Sequence, residues 1–252
     1  MSFTVGADAY DRFMGRYSRQ LAPSLADLAG VVSGQRVLDV GCGPGALTGE
    51  LVRRLGSEAV SAVDPSEPFV AAVQERYPEV DVRRAYAEEL PYDDEIFDAA
   101  LAQLVVHFMT DPVAGLGEMR RVTRAGGAVA ACVWDYAGGQ GPHSPFWEAA
   151  RRLDPDASGE SGLAGARAGH LAELMEAAGL REVQQTTVSA AVEHLTFEDW
   201  WEPFTLGVGP AGSYAASLDP DRLAQVEGHA RTLLAPAPFT LEAVAWAACG
   251  MV

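Results

Sequence analysis

Lysine is missing from this sequence: all 18 basic residues among its 252 residues are arginines. The chain therefore cannot catalyse reactions through a lysine Schiff base, which excludes most chemistry of pyridoxal phosphate. Basic residues are also few, because 35 aspartates and glutamates outnumber them and leave a formal net charge of −17. A surface of that charge repels polyanions, so we expect no nucleic acid among the partners.

Cysteine is scarce as well. Cys42, Cys132 and Cys249 are far apart, and none belongs to a CxxC pair. We therefore expect neither a disulfide framework nor a metal site, and a reducing cytoplasm as the location. No apolar run approaches the roughly 20 residues of a membrane helix, which predicts no membrane insertion. Residues 1–11 show no basic segment followed by an apolar stretch, so we expect no export signal.

Apolar residues, in contrast, make up 48% of the chain, enough for a large core. The length suits one large α/β domain. Short apolar segments alternate with segments of helical spacing, which predicts βαβ units and a parallel sheet with right-handed crossovers. The predicted strands are residues 36–40, 59–63, 80–86, 97–104, 128–134, 183–192 and 239–247.

Apolar residues at spacings of three or four predict the helices. These are the first thirty residues (with Tyr10, Phe13, Met14, Tyr17 and Leu21), residues 47–55, 69–77, a helix from Asp111–Pro112 to a glycine stop at 125–127, and residues 171–178. Residues 137–165 are rich in Gly, Pro, Ser and Asp and predict an irregular, mobile loop. Residues 196–235 carry aromatic side chains among acidic residues and prolines, and we expect them to contribute to a cap.

The most informative segment runs from Val37 to Gly45, with the sequence VLDVGCGPG. It follows a predicted strand and precedes a predicted helix, so its glycines lie where open α/β sheets bind ligands. Asp64 ends the next strand, where a carboxylate can accept hydrogen bonds from both hydroxyls of a ribose. The glycines also fit the loose dinucleotide pattern G-x-G-x-x-A, and Asp64 suits NAD equally well. Asp39 favours another ligand, because a carboxylate inside this turn repels a pyrophosphate and attracts an ammonium group.

Further motifs follow at characteristic spacings: Val63-Asp-Pro-Ser66, Ala87-Glu-Glu-Leu-Pro-Tyr92 with Phe97-Asp98 behind it, and Gly126-Gly127 before a strand. With the glycine turn, they resemble the class I S-adenosylmethionine (SAM)-dependent methyltransferases, most closely the branch that methylates small molecules such as quinones and polyketides. The resemblance covers roughly residues 34–135. The segment from Tyr10 to Tyr17 and the C-terminal region are also similar to members of that branch, less distinctively.

The resemblance implies a cofactor, SAM, and a role for individual residues. The turn with Asp39, Gly41, Cys42 and Gly43 would hold the methionine part, with Asp39 facing its amino group and Arg16 pairing with its carboxylate. Asp64 would bind the ribose, Pro65 and Ser66 would line the adenosine, and Ala87 and Glu88 would border the adenine. Tyr86 stands where the family usually has an aspartate, so adenine recognition is expected to use backbone contacts and stacking. Gln103 and Leu104 would lie beneath the sulfonium.

Two histidines are candidates for catalysis, His107 after the fourth strand and His143 in the predicted loop. A general base assists methyl transfer when the acceptor is a hydroxyl. The alternative for both histidines is a structural role. Trp134, Trp147, Trp200 and Trp201 are expected to pack in the core or the cap.

We therefore expect a doubly wound, Rossmann-like fold with a seven-stranded, mostly parallel sheet and a cap of helices and loops. Within one overall domain, residues 1–33 form an N-terminal helical cap segment, 34–135 the SAM-binding core, and 136–252 the remaining sheet with substrate-cap insertions. The expected function is methyl transfer from SAM to a small, fairly apolar acceptor in biosynthetic metabolism. The alternatives are an enzyme of this fold that catalyses a cyclisation or elimination, a non-catalytic subunit that binds a partner, and, least favoured, an NAD-dependent oxidoreductase.

Overall fold

The computed structural model describes residues 11–157, 159–207 and 209–252. A single seven-stranded sheet runs through it in the order β3-β2-β1-β4-β5-β7-β6. The strands are β1 (Val37–Val40), β2 (Val60–Asp64), β3 (Asp81–Arg84), β4 (Phe97–Gln103), β5 (Thr123–Trp134), β6 (Arg181–His194) and β7 (Phe239–Met251). The pairs among β1 to β5 are parallel, whereas β7 runs antiparallel to both β5 and β6. The predicted α/β class and mostly parallel seven-stranded sheet are confirmed.

Helices cover both faces of the sheet. Those in the described residues are α1 (Arg16–Leu28), α2 (Ala46–Leu55), α3 (Glu67–Arg76), α4 (Pro112–Val122), α5 (Ser144–Leu153), α6 (His170–Ala177), α7 (Phe197–Trp201), α8 (Gly209–Ser217) and α9 (Pro220–Leu233). A turn of π-helix, Asp11–Gly15, precedes α1. The first-helix prediction is thus confirmed from residue 11 onward, while Tyr10 lies outside the described residues. None of the described helices is both long and apolar enough to cross a membrane.

The buried strands of the core explain why the sheet forms. Every residue of β1 and β2 is buried, as expected for parallel strands that are covered on both faces. At the carboxyl end of β1 the chain turns through Gly41, Gly43 and Gly45, all with positive φ. Helix α2 begins directly after this turn, so the first amides of α2 lie at the ligand edge of the sheet.

The predicted glycine stop of α4 is wrong. The helix begins as predicted, with the Asp111 carboxylate accepting a hydrogen bond from the Ala114 amide at 3.0 Å, but it ends at Val122. Gly126 and Gly127 lie within β5, where the pairing with β4 jumps from Phe97↔Thr123 to Ala99↔Ala128. A Cβ at position 127 would lie 2.6 Å from the carbonyl oxygen of Asp98. Both glycines therefore serve a bulge in a strand. At Gly127 the close approach of the backbone leaves no room for a side chain, and at Gly126 the φ of +75° favours glycine.

The expectation of an irregular segment at 137–165 is also corrected. Helix α5 occupies residues 144–153 and buries Phe146, Trp147, Ala149 and Ala150 on one face. Its partners are far away in sequence: Phe146 stacks on Phe204 with ring centroids 4.6 Å apart, and α5 packs against α9. The short helix depends on this packing, since its Gly- and Pro-rich flanks give little local helix signal.

Candidate functional site

A crevice opens at the carboxyl ends of β1, β2 and β4, the edge at which ligands bind in open α/β sheets. Its empty volume is about 740 Å³. Nine of the predicted cofactor residues line it: Gly41, Gly43, Asp64, Pro65, Tyr86, Ala87, Glu88, Gln103 and Leu104. The tertiary structure thus gathers residues from four separate segments around one space.

Asp64 is the best-placed carboxylate of this crevice. It ends β2 and is 6% exposed. One carboxylate oxygen accepts a hydrogen bond from the Gly43 amide at 2.9 Å, and the other accepts one from the Ser66 amide at 2.8 Å. Burial raises the pKa of Asp64, and the two backbone hydrogen bonds oppose the rise. The amides fix the carboxylate but leave lone pairs on both oxygens, which is what a vicinal diol requires.

Asp39 lies deeper, in β1, and is not among the residues that line the crevice. Its Oδ2 accepts a hydrogen bond from the hydroxyl of Thr48, in the first turn of α2, at 2.6 Å. Its Oδ1 is buried and has no hydrogen-bond partner. Burial raises the pKa of Asp39 to about 7, the Thr48 hydrogen bond lowers it, and the charge of Asp64 raises it further. A cationic ligand nearby would favour the ionised form.

The loop between these carboxylates is shaped by its backbone. The amides of Gly41 and Cys42 both donate to the carbonyl oxygen of Val63, at 2.8 and 2.9 Å. These bonds tie the turn to β2 and leave the Cys42 side chain buried, away from the crevice. A Cβ at position 41 would overlap a methyl carbon of Val105, which itself lines the crevice. Only glycine fits there, because φ is +71° and the space is filled.

The adenine end predicted by the sequence consists of residues 86–88. Tyr86 is 60% exposed at the rim, whereas Ala87 is buried. The Glu88 carboxylate accepts hydrogen bonds from the amides of Thr110 and Asp111, at 2.7 and 3.2 Å. Glu88 therefore holds the segment that closes this side of the crevice. Ser66 does not line the crevice, and its amide is used by Asp64.

The end of β4 forms the floor. Gln103 donates its side-chain amide to the carbonyl oxygen of Ser18 at 2.9 Å, while its Oε1 is buried without a hydrogen-bond partner. Leu104 has φ +61°, in the left-handed region that a leucine rarely adopts. Such a conformation costs about 1–3 kcal/mol and is typical of functional sites. Leu104 faces two cavities, since it lines both this crevice and a second one beside it.

Arg16 lies elsewhere. Its guanidinium donates to both carboxylate oxygens of Asp199, at 2.9 and 3.1 Å, and to the carbonyl oxygen of Glu193. It lines a third, smaller cavity with Tyr17 and His194, and not the crevice. The structure thus gives Arg16 a partner in the cap, and its pairing with a cofactor carboxylate stays a prediction.

The two candidate histidines come together in the second cavity, whose empty volume is about 330 Å³. His107 is buried, and its Nδ1 has no hydrogen-bond partner. Burial lowers the pKa of His107 to about 4, so its ring is neutral near pH 7. His143 is 5% exposed, and its Nε2 is buried without a hydrogen-bond partner. In the part of the chain that the structure describes, no group of three or more His, Cys, Asp or Glu side chains could hold a metal ion.

Several residues of the site were not identified from the sequence. Thr48 follows Asp39 by nine positions. The strand-turn-helix pattern could have indicated their contact, because it brings the first turn of α2 over the end of the strand. Tyr136 and Glu160 also line the second cavity. Glu160 lies in a segment without regular periodicity, so no local pattern indicated that it would be buried.

The unpartnered polar atoms of Asp39 and Gln103 are both oxygens, which are hydrogen-bond acceptors. A ligand with positive charge and donor groups is therefore complementary to them, whereas a pyrophosphate is not. The topology of the sheet also distinguishes a cationic ligand from a dinucleotide. Dinucleotide folds have the strand order 3-2-1-4-5-6, whereas here an antiparallel strand, β7, lies between β5 and β6. Both observations disfavour the NAD alternative.

Comparison with known proteins agrees with this geometry. Residues 38–131 match a family model described as a methyltransferase domain, and they contain the glycine turn, Asp64 and the end of β4. This match assigns residues 38–131 to a methyltransferase domain. The cofactor of this family is SAM, with a cationic sulfonium and an ammonium group, and it matches the acceptor oxygens described above.

Curated relatives of the chain match only part of it. An uncharacterized methyltransferase of Mycobacterium tuberculosis (strain H37Rv) is 35% identical over 135 residues, which are 54% of this chain and 52% of the relative. The malonyl-[acyl-carrier protein] O-methyltransferase of Salmonella typhimurium is 40% identical over 94 residues, 37% of each chain. The chain thus spans about half or less of the length of these relatives.

Solved structures share the fold of the chain at low identity. Geranyl diphosphate C-methyltransferase from Streptomyces coelicolor, solved with Mg²⁺, geranyl diphosphate and S-adenosylhomocysteine, has a TM-score of 0.53 and 17% identity, covering 92% of this chain and 78% of that one. The [4+2]-cyclase SpnF has a TM-score of 0.55 and 21% identity, covering 92% and 80%. These likenesses show the fold, which therefore occurs with more than one activity.

Proposed function

We propose that this protein transfers the methyl group of SAM to a small, fairly apolar acceptor molecule. The observation that carries the proposal is the crevice in which Asp64, the glycine turn and the end of β4 converge, with the ionisable Asp39 beneath it. The second cavity supports the acceptor class, because Phe13, Met14, Phe108 and Trp134 are among its walls. Apolar walls with a few polar groups are typical of small-molecule sites.

When bound, SAM supplies a methyl group on a positively charged sulfur. The protein's task is to hold the acceptor in line with that methyl group, and orientation of this kind contributes roughly 7–11 kcal/mol. Asp64 would bind the ribose hydroxyls, and Asp39 would offset the ammonium charge. Leu104 separates the cofactor crevice from the acceptor cavity, because it lines both. The proposal also includes the predicted residues that would hold the rest of the cofactor. These are Gly41, Cys42, Gly43, Pro65, Ser66, Tyr86, Ala87, Glu88 and Gln103.

We also propose a metabolic role and a cellular location for the protein. We place the reaction in small-molecule biosynthesis, because the second cavity has apolar walls with a few polar groups, as small-molecule sites do. The three cysteines are free, which suits a reducing cytoplasm.

Calorimetric titration of the purified chain with SAM and with S-adenosylhomocysteine tests the cofactor assignment. We expect both to bind at one site per chain. Absence of binding by either would contradict the proposal. Because the fold also occurs in a cyclase, methyl transfer is tested separately with isotopically labelled methyl-SAM: the label should appear in the acceptor, and product formed without loss of the label from SAM would favour a cyclisation or elimination.

A further inference from the structure

The second cavity contains a buried pair of side chains to which the binding of SAM assigns no role. His143 precedes α5, and Glu160 lies in the segment that follows that helix. The His143 Nδ1 is 3.3 Å from a carboxylate oxygen of Glu160, and that oxygen also accepts a hydrogen bond from the indole of Trp147 at 2.7 Å. Glu160 is 2% exposed. Although burial raises the pKa of Glu160, its hydrogen bonds with His143 and Trp147 hold it below the ordinary value.

The ring of His143 is fixed from both sides. Phe13 stacks on it with ring centroids 4.4 Å apart and an interplanar angle of 13°. Tyr136 lies 6.0 Å away at 28°, with its hydroxyl 3.2 Å from the His143 Nδ1. Nδ1 thus has two partners, whereas Nε2 is buried and has none. A carboxylate at Nδ1 favours the tautomer with the proton on that nitrogen, which leaves the Nε2 lone pair free to accept a hydrogen bond.

An unpaired buried nitrogen costs about 1–3 kcal/mol, so a purely structural histidine would be expected to pair both nitrogens. Here two neighbouring imidazoles, His107 and His143, each leave one nitrogen unpaired in the same cavity wall. A bound molecule with a hydroxyl group would supply the missing donor. This second observation separates the pair from an ordinary buried ion pair.

The charge of the cavity selects among possible acceptors. Glu160 is the carboxylate in its wall, and no arginine is among the described residues that line it. His143 and Phe13 also line the third cavity, but the charge of Arg16 there is paired with Asp199 beside His194. An anionic acceptor such as a carboxylate would therefore be repelled, whereas a neutral hydroxyl on a flat ring fits the aromatic walls.

We propose that His143 is the general base of an O-methylation and that Glu160 is its positioning residue, with a neutral phenolic hydroxyl as the acceptor. This inference rests on the proposed function. The hydroxyl proton passes to Nε2 of His143, the oxygen forms a bond to the methyl carbon, and the carbon–sulfur bond breaks with its electron pair remaining on the sulfur. The carboxylate of Glu160 offsets the positive charge that the imidazole gains, and water then takes up the proton.

The inference is tested with three naphthalene probes on the full chain saturated with S-adenosylhomocysteine. The probes are 2-naphthol, its carboxylate analogue 2-naphthoate, and 2-methoxynaphthalene, which carries no proton to donate. We expect calorimetry to show at least about tenfold tighter binding of 2-naphthol than of 2-naphthoate. The hydroxyl of 2-naphthol can donate a hydrogen bond to His143, whereas the carboxylate of 2-naphthoate cannot and is repelled by Glu160. Equal binding of the two, or no binding of 2-naphthol, would overturn the acceptor class.

The role of the pair is read from ¹⁵N-histidine spectra, which do not depend on turnover. In the wild type we expect the tautomer with the proton on Nδ1 of His143, and 2-naphthol but not 2-methoxynaphthalene should shift the Nε2 resonance. Glu160→Gln should populate the other tautomer, and Glu160→Asp should restore the first in part. Unchanged spectra in Glu160→Gln would overturn the positioning role.

Matched variants keep this test separate from the proposed function. His143→Gln should weaken 2-naphthol binding by about 5- to 30-fold and leave SAM affinity unchanged, while His229→Gln, on α9 outside the cavity, should change neither. If the wild type fails to bind SAM, the proposed function is wrong. If it binds SAM but His143→Gln leaves 2-naphthol binding unchanged, this inference alone is wrong.

Discussion

At the residue scale, the proposed function assigns the ribose of the cofactor to one side chain, Asp64. The amides of Gly43 and Ser66 hold its carboxylate in place before any ligand arrives. A preorganised group loses little conformational entropy on binding. A conservative substitution of Asp64 should therefore lower the affinity for SAM strongly.

Asp64→Asn should therefore weaken SAM binding by about 10- to 100-fold, because hydrogen bonds to a charged group contribute about 1.5–3 kcal/mol. The measurement is the calorimetric Kd. Glu75→Gln removes one exposed carboxylate from α3 and serves as the matched control, with no expected change. Similar Kd values for Asp64→Asn and the wild type would remove the ribose role of Asp64.

Asp39 gives a prediction about pH. Its pKa in the folded chain is raised to about 7, above the 3.8 of an unperturbed aspartate. The unfolded chain therefore loses this proton first, and the free energy of unfolding falls as pH rises from about 4 to about 7. The loss is up to about 4 kcal/mol at 1.36 kcal/mol per pKa unit.

Urea unfolding at pH 5 and pH 7 measures this loss. In Asp39→Asn without ligand, the free energy of unfolding should fall less over that interval than in the wild type. Asp64, whose pKa is also raised, is present in both proteins and contributes to both in the same direction. Parallel pH profiles would show that Asp39 does not titrate in this range.

At the scale of elements, the site depends on how β1 turns into α2. The turn passes close to Val105, which follows β4, so the backbone at Gly41 has no space for a side chain. The same turn carries Gly43, whose amide holds Asp64. A change in this turn should therefore affect stability and cofactor affinity together.

Gly41→Ala should destabilise the fold by about 1–3 kcal/mol more than Gly30→Ala, as overpacking does in a filled space. Gly30 has a φ of +64°, close to the +71° of Gly41, but a Cβ there would have no atom within 4 Å, so it isolates the cost of the positive φ. Urea unfolding gives the two free energies, and SAM affinity should fall only in Gly41→Ala. Equal losses in both variants would contradict the close contact with Val105.

At the scale of the whole molecule, the N-terminal helix and the cap meet around Arg16. Its ion pair with Asp199 joins α1 to α7, and both side chains are about one-third exposed. Pairs of this kind contribute about 0–1 kcal/mol, because water competes for both charges. The buried aromatic cluster, in which Phe204 packs against Phe146 and Trp200, holds the cap more firmly.

We therefore expect Arg16→Gln and Asp199→Asn each to lower the free energy of unfolding by no more than about 1 kcal/mol. Both should leave the Kd for SAM within about twofold of the wild type, since Arg16 does not line the crevice. The alternative, pairing of Arg16 with the cofactor carboxylate, predicts instead that Arg16→Gln weakens SAM binding strongly while Asp199→Asn does not. Calorimetry on the two variants distinguishes these outcomes.

The sequence by itself determined the α/β class, the seven strands, and the positions of the glycine turn and Asp64. These follow from local causes: apolar runs of strand length, helical spacing, and glycines where the chain must turn tightly. The predicted strands agree with the observed ones to within a few residues, except that β5 begins earlier, at Thr123. The bulge that contains Gly126 and Gly127 is fixed by pairing with β4, which is not visible in the local sequence.

Only the tertiary structure decided which side chains meet. It placed Arg16 against Asp199, far along the chain. It also folded the Gly- and Pro-rich segment into α5 and buried Glu160 beside His143. Contacts of this kind depend on packing between segments that are distant in sequence, and the energy of that packing outweighs local preference. The sequence thus specifies the edge of the sheet where the crevice opens, while long-range packing specifies the second cavity.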